Sequence, residues 1–294
     1  MDKMIRVSAG NGQIRAFFVR NSDMLERTRE IHQLSPVAAA ALGRTMAATA
    51  MMAQMLKASG QKITIRINGG GPLGTVLCVA DYDGNVKGLV DYPQAETENI
   101  SPEKLNVGAA IGKDGEITVI KDLGMKTPYI GTYPLTNGEI AEDLTAYFLH
   151  SEQQPSSVGL SVKVNVDYSI LTSGGFIIQV LPDISEKELR LLESRLLNLP
   201  PLSELYETLR DPETVMHTVL DGLNPIVSEE KKVVFHCDCS RERMEEALIS
   251  LGAKELSSII EEDGHAEIKC HFCLEAYQFN KMELRKLNIE ALGE

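Results

Sequence analysis

The residues with the clearest chemistry are four cysteines near the end of the chain. Cys237-Asp238-Cys239 and Cys270-His271-Phe272-Cys273 form two close pairs with 30 residues between them. Paired thiols in a reducing compartment point to zinc. Zn²⁺ takes four ligands in a tetrahedron and holds thiolate sulfur at about 2.3 Å. All four cysteines are therefore read as ligands of one Zn²⁺ per chain. Such a set leaves no open coordination position, so a catalytic zinc is not expected. His236, His265 and His271 are neighbouring competitors, displaced because four thiols already fill the sphere. The C-x-C half is shorter than the spacers usual in structural zinc fingers. Cα atoms two residues apart lie at most about 7 Å from each other, so either close pair can also bridge locally in place of zinc. Thiolate is the form that oxidants attack, and metal binding contributes folding free energy to a small module. Two readings stay open on the residues alone: a purely structural zinc module, and a redox switch between a reduced, zinc-bound, folded state and an oxidised, zinc-free, open one.

The elements that must position this site read as follows. HAEIKC is strand-like and LEAYQF follows it, so Cys270 and Cys273 belong at a hairpin tip; Ser240 caps a helix over about 241–251, leaving Cys239 just before a helix start. Upstream, Leu189, Leu192, Leu196 and Leu199 form a stripe at helical spacing, Pro200-Pro201 ends it, Leu202, Leu205 and Leu209 repeat it, and Asp211-Pro212 opens a third piece. These short, acidic, proline-broken helices are expected over residues 182–224, either packed by their leucines on the core or as a metastable linker. Residues 1–181 predict strands at Gln13–Arg20, Lys62–Asn68, Glu116–Lys121, Val158–Val166 and Gly175–Leu181, and a hairpin of Gly74–Asp81 and Asn85–Asp91 around DYDG. Helices are expected from Ser22, over about Pro36–Ala58 and over Asn137–His150. Strands and helices mix without βαβ alternation, so the fold class is α+β: a mixed-sheet core over 1–181, the helical linker over 182–224, and a small C-terminal zinc-binding module over 225–294. Cys78, alone in an apolar run, reads as a buried hydrophobe, and Met46, Met51, Met52 and Met55 as core packing on a helix that is apolar nearly all round.

Composition narrows the function. The net charge is −13, and it is uneven: residues 1–181 carry 18 acidic and 16 basic residues, 182–224 carry 9 and 4, and 225–294 carry 15 and 9. Such acidity disfavours nucleic acid as a partner, and 5% aromatics without Trp gives little stacking surface. No run approaches the 18 to 20 apolar residues of a membrane span, and the first residues lack a signal-peptide core; a cytoplasmic protein with no membrane partner is expected. His265-Ala266-Glu267 before the C-x-x-C pair resembles part of a deaminase pattern, but Lys269 stands where that pattern needs Pro. The run Asn68 to Gly74 lacks the Lys-Ser/Thr ending of a phosphate loop and reads as a turn. No Ser/His/Asp arrangement is apparent, so no catalytic residue is assigned and the chain is not expected to be an enzyme.

The C-x-C and C-x-x-C pairs, their spacing and their place in a chain of 294 residues resemble the redox-regulated 33 kDa heat-shock chaperonin family. Gly69-Gly70-Gly71-Pro72-Leu73-Gly74, Tyr147-Phe148 followed by Ser151-Glu152-Gln153-Gln154-Pro155, and Gly174-Gly175-Phe176 running into Gln179-Val180-Leu181-Pro182 agree with it. The resemblance implies an ATP-independent holdase that is inactive when reduced and zinc-bound. Oxidation would join Cys237 to Cys239 and Cys270 to Cys273, release zinc, unfold the C-terminal module and loosen the linker. The newly exposed apolar surface would capture unfolding client proteins, with a homodimer as the active form.

Overall fold

Pro36–Ala53 organises the larger part of the molecule. In the computed structural model, which describes residues 1–101 and 104–292, this segment is an α-helix buried on nearly every side. The chain divides into two compact units, Met1–His236 and Cys237–Glu294. In chain order the first unit contains β1 (Lys3–Ala9), β2 (Ile14–Arg20), α1 (Ser22–His32), α2 (Pro36–Ala53), β3 (Lys62–Gly70), β4 (Val76–Asp81), β5 (Asn85–Val90), α3 (Val107–Ile111), β6 (Gly112–Asp122), β7 (Tyr129–Pro134), α4 (Ala141–His150), β8 (Ser156–Val164), β9 (Ile170–Val180), α5 (Glu186–Leu197), α6 (Leu202–Leu209), α7 (Pro212–Val219), β10 (Ile226–Lys232) and β11 (Val234–Phe235). The second contains α8 (Arg241–Ser250), α9 (Ala253–Glu262), β12 (His265–Lys269), β13 (Ala276–Asn280) and α10 (Lys281–Ala291). The molecule is α+β, as its unalternating strands and helices predict.

Helix α2 is started by Ser35, whose Oγ accepts from the Ala38 N–H at 3.2 Å, with Pro36 in the first turn. It packs against strands of two sheets. One has the order β10-β1-β2-β9-β8 and the other β11-β5-β4-β3-β6-β7. Met46, Met51 and Met52 are buried among the inward residues of both sheets, as is Cys78. Arg44, the charge that interrupts the helix, pairs with Glu139 at 2.8 Å. The helix stops at Ala53 rather than near Ala58 because the next three N–H groups, of Gln54, Met55 and Leu56, reach back only three residues, tightening the chain into a turn. The glycine run after Asn68 continues β3 and then turns. A Cβ on Gly71 would lie 2.4 Å from the Ala110 carbonyl oxygen. The run therefore admits a close backbone approach by the α3–β6 segment, a structural reason for its composition.

Strands β1, β7 and β10 have no counterpart in the elements read from the sequence. β10 is the instructive one. Its sequence, IVSEEKK, carries four charges, yet it pairs antiparallel with β1, Ile5 opposite Glu230 and Lys3 opposite Lys232. Alternation here is between exposed and half-buried, which suits a charged edge strand. Residues 226–235, grouped with the cysteine module on sequence, thus pair with the first unit; β11 runs parallel to β5.

The leucine-rich helices lie where their breaks place them. Ser185 caps α5, and Asp211 caps α7 by accepting from Glu213 and Thr214. Together α5, α6 and α7 cover the face of the first sheet that points away from α2. Ile5, Ile14, Phe18, Phe176 and Ile178 of the sheet are buried with Leu192, Tyr206, Val215, Met216 and Val219 of the helices. Tyr206 is fully buried, and its hydroxyl donates to the Gly175 carbonyl at 2.8 Å. Its ring occupies a dent in β9: a Cβ on Gly174 would lie 2.6 Å from the ring.

Candidate metal centre

The second unit is small, and its apolar core is correspondingly small: among the described residues Leu248, Leu256, Ile260, Phe279, Leu284 and Leu287 are the buried members of its apolar cluster. β12 and β13 form the expected antiparallel hairpin, with Lys269 opposite Ala276. Cys270 to Glu275 make its tip. The Cys270 N–H donates to the Glu275 carbonyl at 2.9 Å and the Leu274 N–H to the Cys270 carbonyl at 2.8 Å. These two bonds close a tight turn that presents both sulfurs to one side. Leu274 pays for it with a left-handed backbone, φ 58°, a conformation that favours glycine.

The C-x-C half is extended chain ahead of a capped helix. Ser240 Oγ accepts from the Arg243 N–H at 3.4 Å at the start of α8. Arg243 also reaches back: its Nη1 donates to the Asp238 carbonyl at 3.0 Å and pairs with the Asp238 carboxylate at 2.8 Å. The residue between the two cysteines is thereby held from both its backbone and its side chain.

The two halves bring all four sulfurs together. The Sγ atoms of Cys237, Cys239, Cys270 and Cys273 lie within 4.8 Å of one another. Cys237 and Cys270 are 3.6 Å apart and Cys239 and Cys273 3.3 Å. A tetrahedron with metal–sulfur bonds of about 2.3 Å has sulfur–sulfur edges of about 3.8 Å, so the cluster has the dimensions of a four-thiolate zinc site. All four are free thiols; Cys270 is buried and the other three are half-buried. Burial pushes the Cys237 thiol up and raises that of Cys273 to about 11, where sharing with Cys239 adds to the effect. Cys270 is held below the ordinary thiol range: burial opposes this, and the backbone N–H groups of Cys273 and Phe272, together with the Cys237 and Cys273 thiols, outweigh it. A metal entering the cluster therefore has to displace protons.

Among the described residues, no histidine joins the sulfurs. His236 lies in the first unit, where its N–H donates to the Val86 carbonyl. His265 turns to the Asp263 carbonyl at 3.0 Å, and His271 is exposed at the turn. Glu267 accepts from Gln278 and pairs with Lys269. The deaminase-like His265–Glu267 pair is thus engaged elsewhere.

One participant was not singled out from the sequence. The Tyr277 hydroxyl donates to the Cys239 sulfur at 3.3 Å. The signal was present: Tyr277 and Phe279 alternate with exposed Ala276 and Gln278 in β13, so period two puts Tyr277 on the inward face four residues after Cys273.

Known proteins resemble this chain along nearly its whole length. The family model for the Hsp33 protein matches residues 2–280. The 33 kDa chaperonin of Alkaliphilus metalliredigens is 53% identical over 285 residues, covering 97% of this chain and 98% of that protein. That of Clostridioides difficile is 45% identical over 286 residues, covering 97% and 98%. The crystal structure of the 33 kDa chaperonin (heat shock protein 33 homolog) from Thermotoga maritima superposes with a TM-score of 0.91 at 31% identity, covering 99% of each chain. The chain belongs to the Hsp33 family.

Proposed function

We propose that this Hsp33-family protein is a chaperone whose holding activity is switched by the redox state of its four clustered cysteines. The observation that carries the reading is the closed set of four sulfurs, of tetrahedral zinc size, in a unit with few buried side chains of its own. In the reduced protein Cys237, Cys239, Cys270 and Cys273 hold one Zn²⁺, which cross-links the two halves of the unit and contributes to its folding free energy. Oxidation by a peroxide joins Cys237 to Cys239 and Cys270 to Cys273. Four thiolates lose four electrons; two peroxide molecules accept them and, with four protons, become four waters. With the donor set consumed the unit opens.

The first unit supplies what the open state would use. Its linker helices cover a sheet face bearing Ile5, Phe18, Phe176 and Ile178. Lys3 lies between the elements that would have to communicate, with its Nζ 3.0 Å from Glu230 of β10 and 3.0 Å from Asp211, the cap of α7. β10 is the strand that leads toward the cysteines, so its displacement removes a partner from the linker. Loosened helices uncover an apolar face able to bind unfolding proteins, without ATP and without a catalytic residue. The acidic surface, net −13, keeps that state in solution. The clients are unfolded or aggregation-prone proteins, the active form is a homodimer, and the compartment is the cytoplasm, where the thiols are reduced by default. Among the described residues no helix is long and apolar enough to cross a membrane.

The test is light scattering of a heat-denaturing client. Peroxide-treated protein is expected to suppress it at near-stoichiometric ratios and the reduced, zinc-loaded protein to leave it unchanged. Equal suppression by both forms would refute redox control.

A further inference from the structure

We propose that the Tyr277 hydroxyl sets how readily the cysteine cluster is oxidised, by holding a hydrogen bond on the Cys239 sulfur; this rests on the redox reading above. Tyr277 stands on β13, opposite Ile268 in β12, and belongs to the half of the unit that carries Cys270 and Cys273. Its hydroxyl crosses to the other half, 3.3 Å from Cys239. The crossing is braced by Arg241, two residues beyond Cys239. The Arg241 Nη1 donates to the Gln278 carbonyl at 3.1 Å, its Nη2 meets Glu283 at 2.7 Å, and its guanidinium lies 4.4 Å from the centre of the Phe279 ring. One arginine thus ties the first turn of α8 to Gln278 and Phe279, the residues that follow Tyr277 in β13, and the Tyr277 hydroxyl faces the sulfur.

A donor on a thiolate withdraws electron density from it. The sulfur becomes a weaker nucleophile, and by the same cause a weaker metal donor. Oxidation begins when a sulfur lone pair attacks the near oxygen of a peroxide: the S–O bond forms, the O–O bond breaks, and hydroxide leaves. The sulfenic acid then condenses with a neighbouring cysteine thiolate, the S–S bond forming as a second hydroxide departs. Each hydroxide is neutralised by a proton from the buffer, giving two waters. The pair of electrons lost by the two sulfurs has reduced one peroxide. A hydrogen bond that occupies the Cys239 lone pair slows the first of these steps and leaves the bridging step alone.

The signs separate this role from a packing role. Loss of a packing contact would loosen the unit, weaken zinc and speed its escape under every condition. Loss of the hydrogen bond makes the sulfur both easier to oxidise and better at holding metal. The experiment compares the full-length, zinc-loaded, reduced protein with its Tyr277→Phe variant. Zinc release is followed colorimetrically under excess hydrogen peroxide, zinc affinity by chelator competition, and the unfolding midpoint by circular dichroism. For Tyr277→Phe, peroxide-driven release is expected to be about three- to tenfold faster, with zinc affinity equal or tighter and the midpoint unchanged. With Co²⁺ in place of zinc, the sulfur-to-metal charge-transfer band is expected to move to lower energy. Equal peroxide rates in the two proteins would overturn the proposal. So would faster release matched by weaker affinity and faster loss without peroxide. If the parent itself binds no zinc, or keeps it through peroxide treatment, the redox reading fails first, and that result is visible before the variant is compared.

Discussion

Cys270 is the buried member of the sulfur cluster, so its replacement is the sharpest substitution at the metal site. Cys270→Ser is expected to drop zinc content well below one per chain and to unfold residues 237–294, measured by metal analysis and segment hydrogen exchange, whereas Cys78→Ser leaves metal content unchanged. Leu274 gives a change of the opposite sign. Its left-handed backbone, φ 58°, costs about 1–2 kcal/mol, part of which glycine returns as chain entropy, and its side chain is 45% exposed. Leu274→Gly is therefore expected to stabilise the zinc-loaded unit by about 1 kcal/mol, seen as a higher unfolding midpoint. In the first unit, Asp2 is buried, which pushes its carboxyl up to about 6 against the N–H of Met24, with Asp23 adding to the rise and Arg20, 2.7 Å away, opposing it. The folded protein thus binds this proton more tightly than the unfolded chain. The stability it contributes is complete below the ordinary carboxylate range and is lost as pH rises through about 6. Relative to Asp2→Asn, the parent is expected to gain about 1 kcal/mol on going from pH 7.5 to pH 5, measured as the difference in unfolding midpoints. The four clustered cysteines were legible because two short spacers set the approach within each pair locally. For Tyr277 the inward position was legible from the alternation in β13, but its partner was not, since Cys239 lies 38 residues away in sequence.

At the scale of elements, what could be read was what the chain decides for itself. α2 has its own cap and an apolar surface on every side; the linker helices have their own caps and proline breaks; the hairpin of β4 and β5 has its turn, where the Asp81 carboxylate accepts from the N–H groups of Asp83 and Asn85. β1 and β7 pair with their neighbours in the chain, β2 and β6, and of the three only β10 depends wholly on a partner distant in sequence. β10 in particular is charged chain until β1 receives it. The redox account makes α6 the element to perturb, because Tyr206 is its one fully buried side chain. Tyr206→Ala removes a ring from the β9 dent and is expected to cost about 3–5 kcal/mol of linker docking. Limited proteolysis of the reduced protein should then cut within residues 182–224, and aggregation of a client should be suppressed without oxidant. A linker that stays protease-resistant, or that is cut without any gain in suppression, would separate linker release from holding activity.

For the whole molecule, the division of labour follows from where stabilisation resides. Residues 1–236 contain two apolar clusters, one around α2 and one under the linker helices. Residues 237–294 contain one of six buried side chains and a cluster of thiols. On the proposed function a unit that small depends on a metal cross-link, so removing the metal is expected to act on it and spare the rest. The acidity visible in the sequence fits the proposed need to remain soluble while apolar surface is open, but where the boundary between the units falls could not be read from charge, because β10 is net neutral and β11 uncharged, and only their pairing places them with the first unit. The most direct test is segment-resolved hydrogen exchange on the reduced, zinc-loaded protein and on the same protein after peroxide oxidation and zinc loss. The expected result is that residues 237–294 and 182–224 lose protection together while 1–181 keep theirs. Residues 237–294 retaining full protection with their sulfurs bridged and the metal gone would contradict the account.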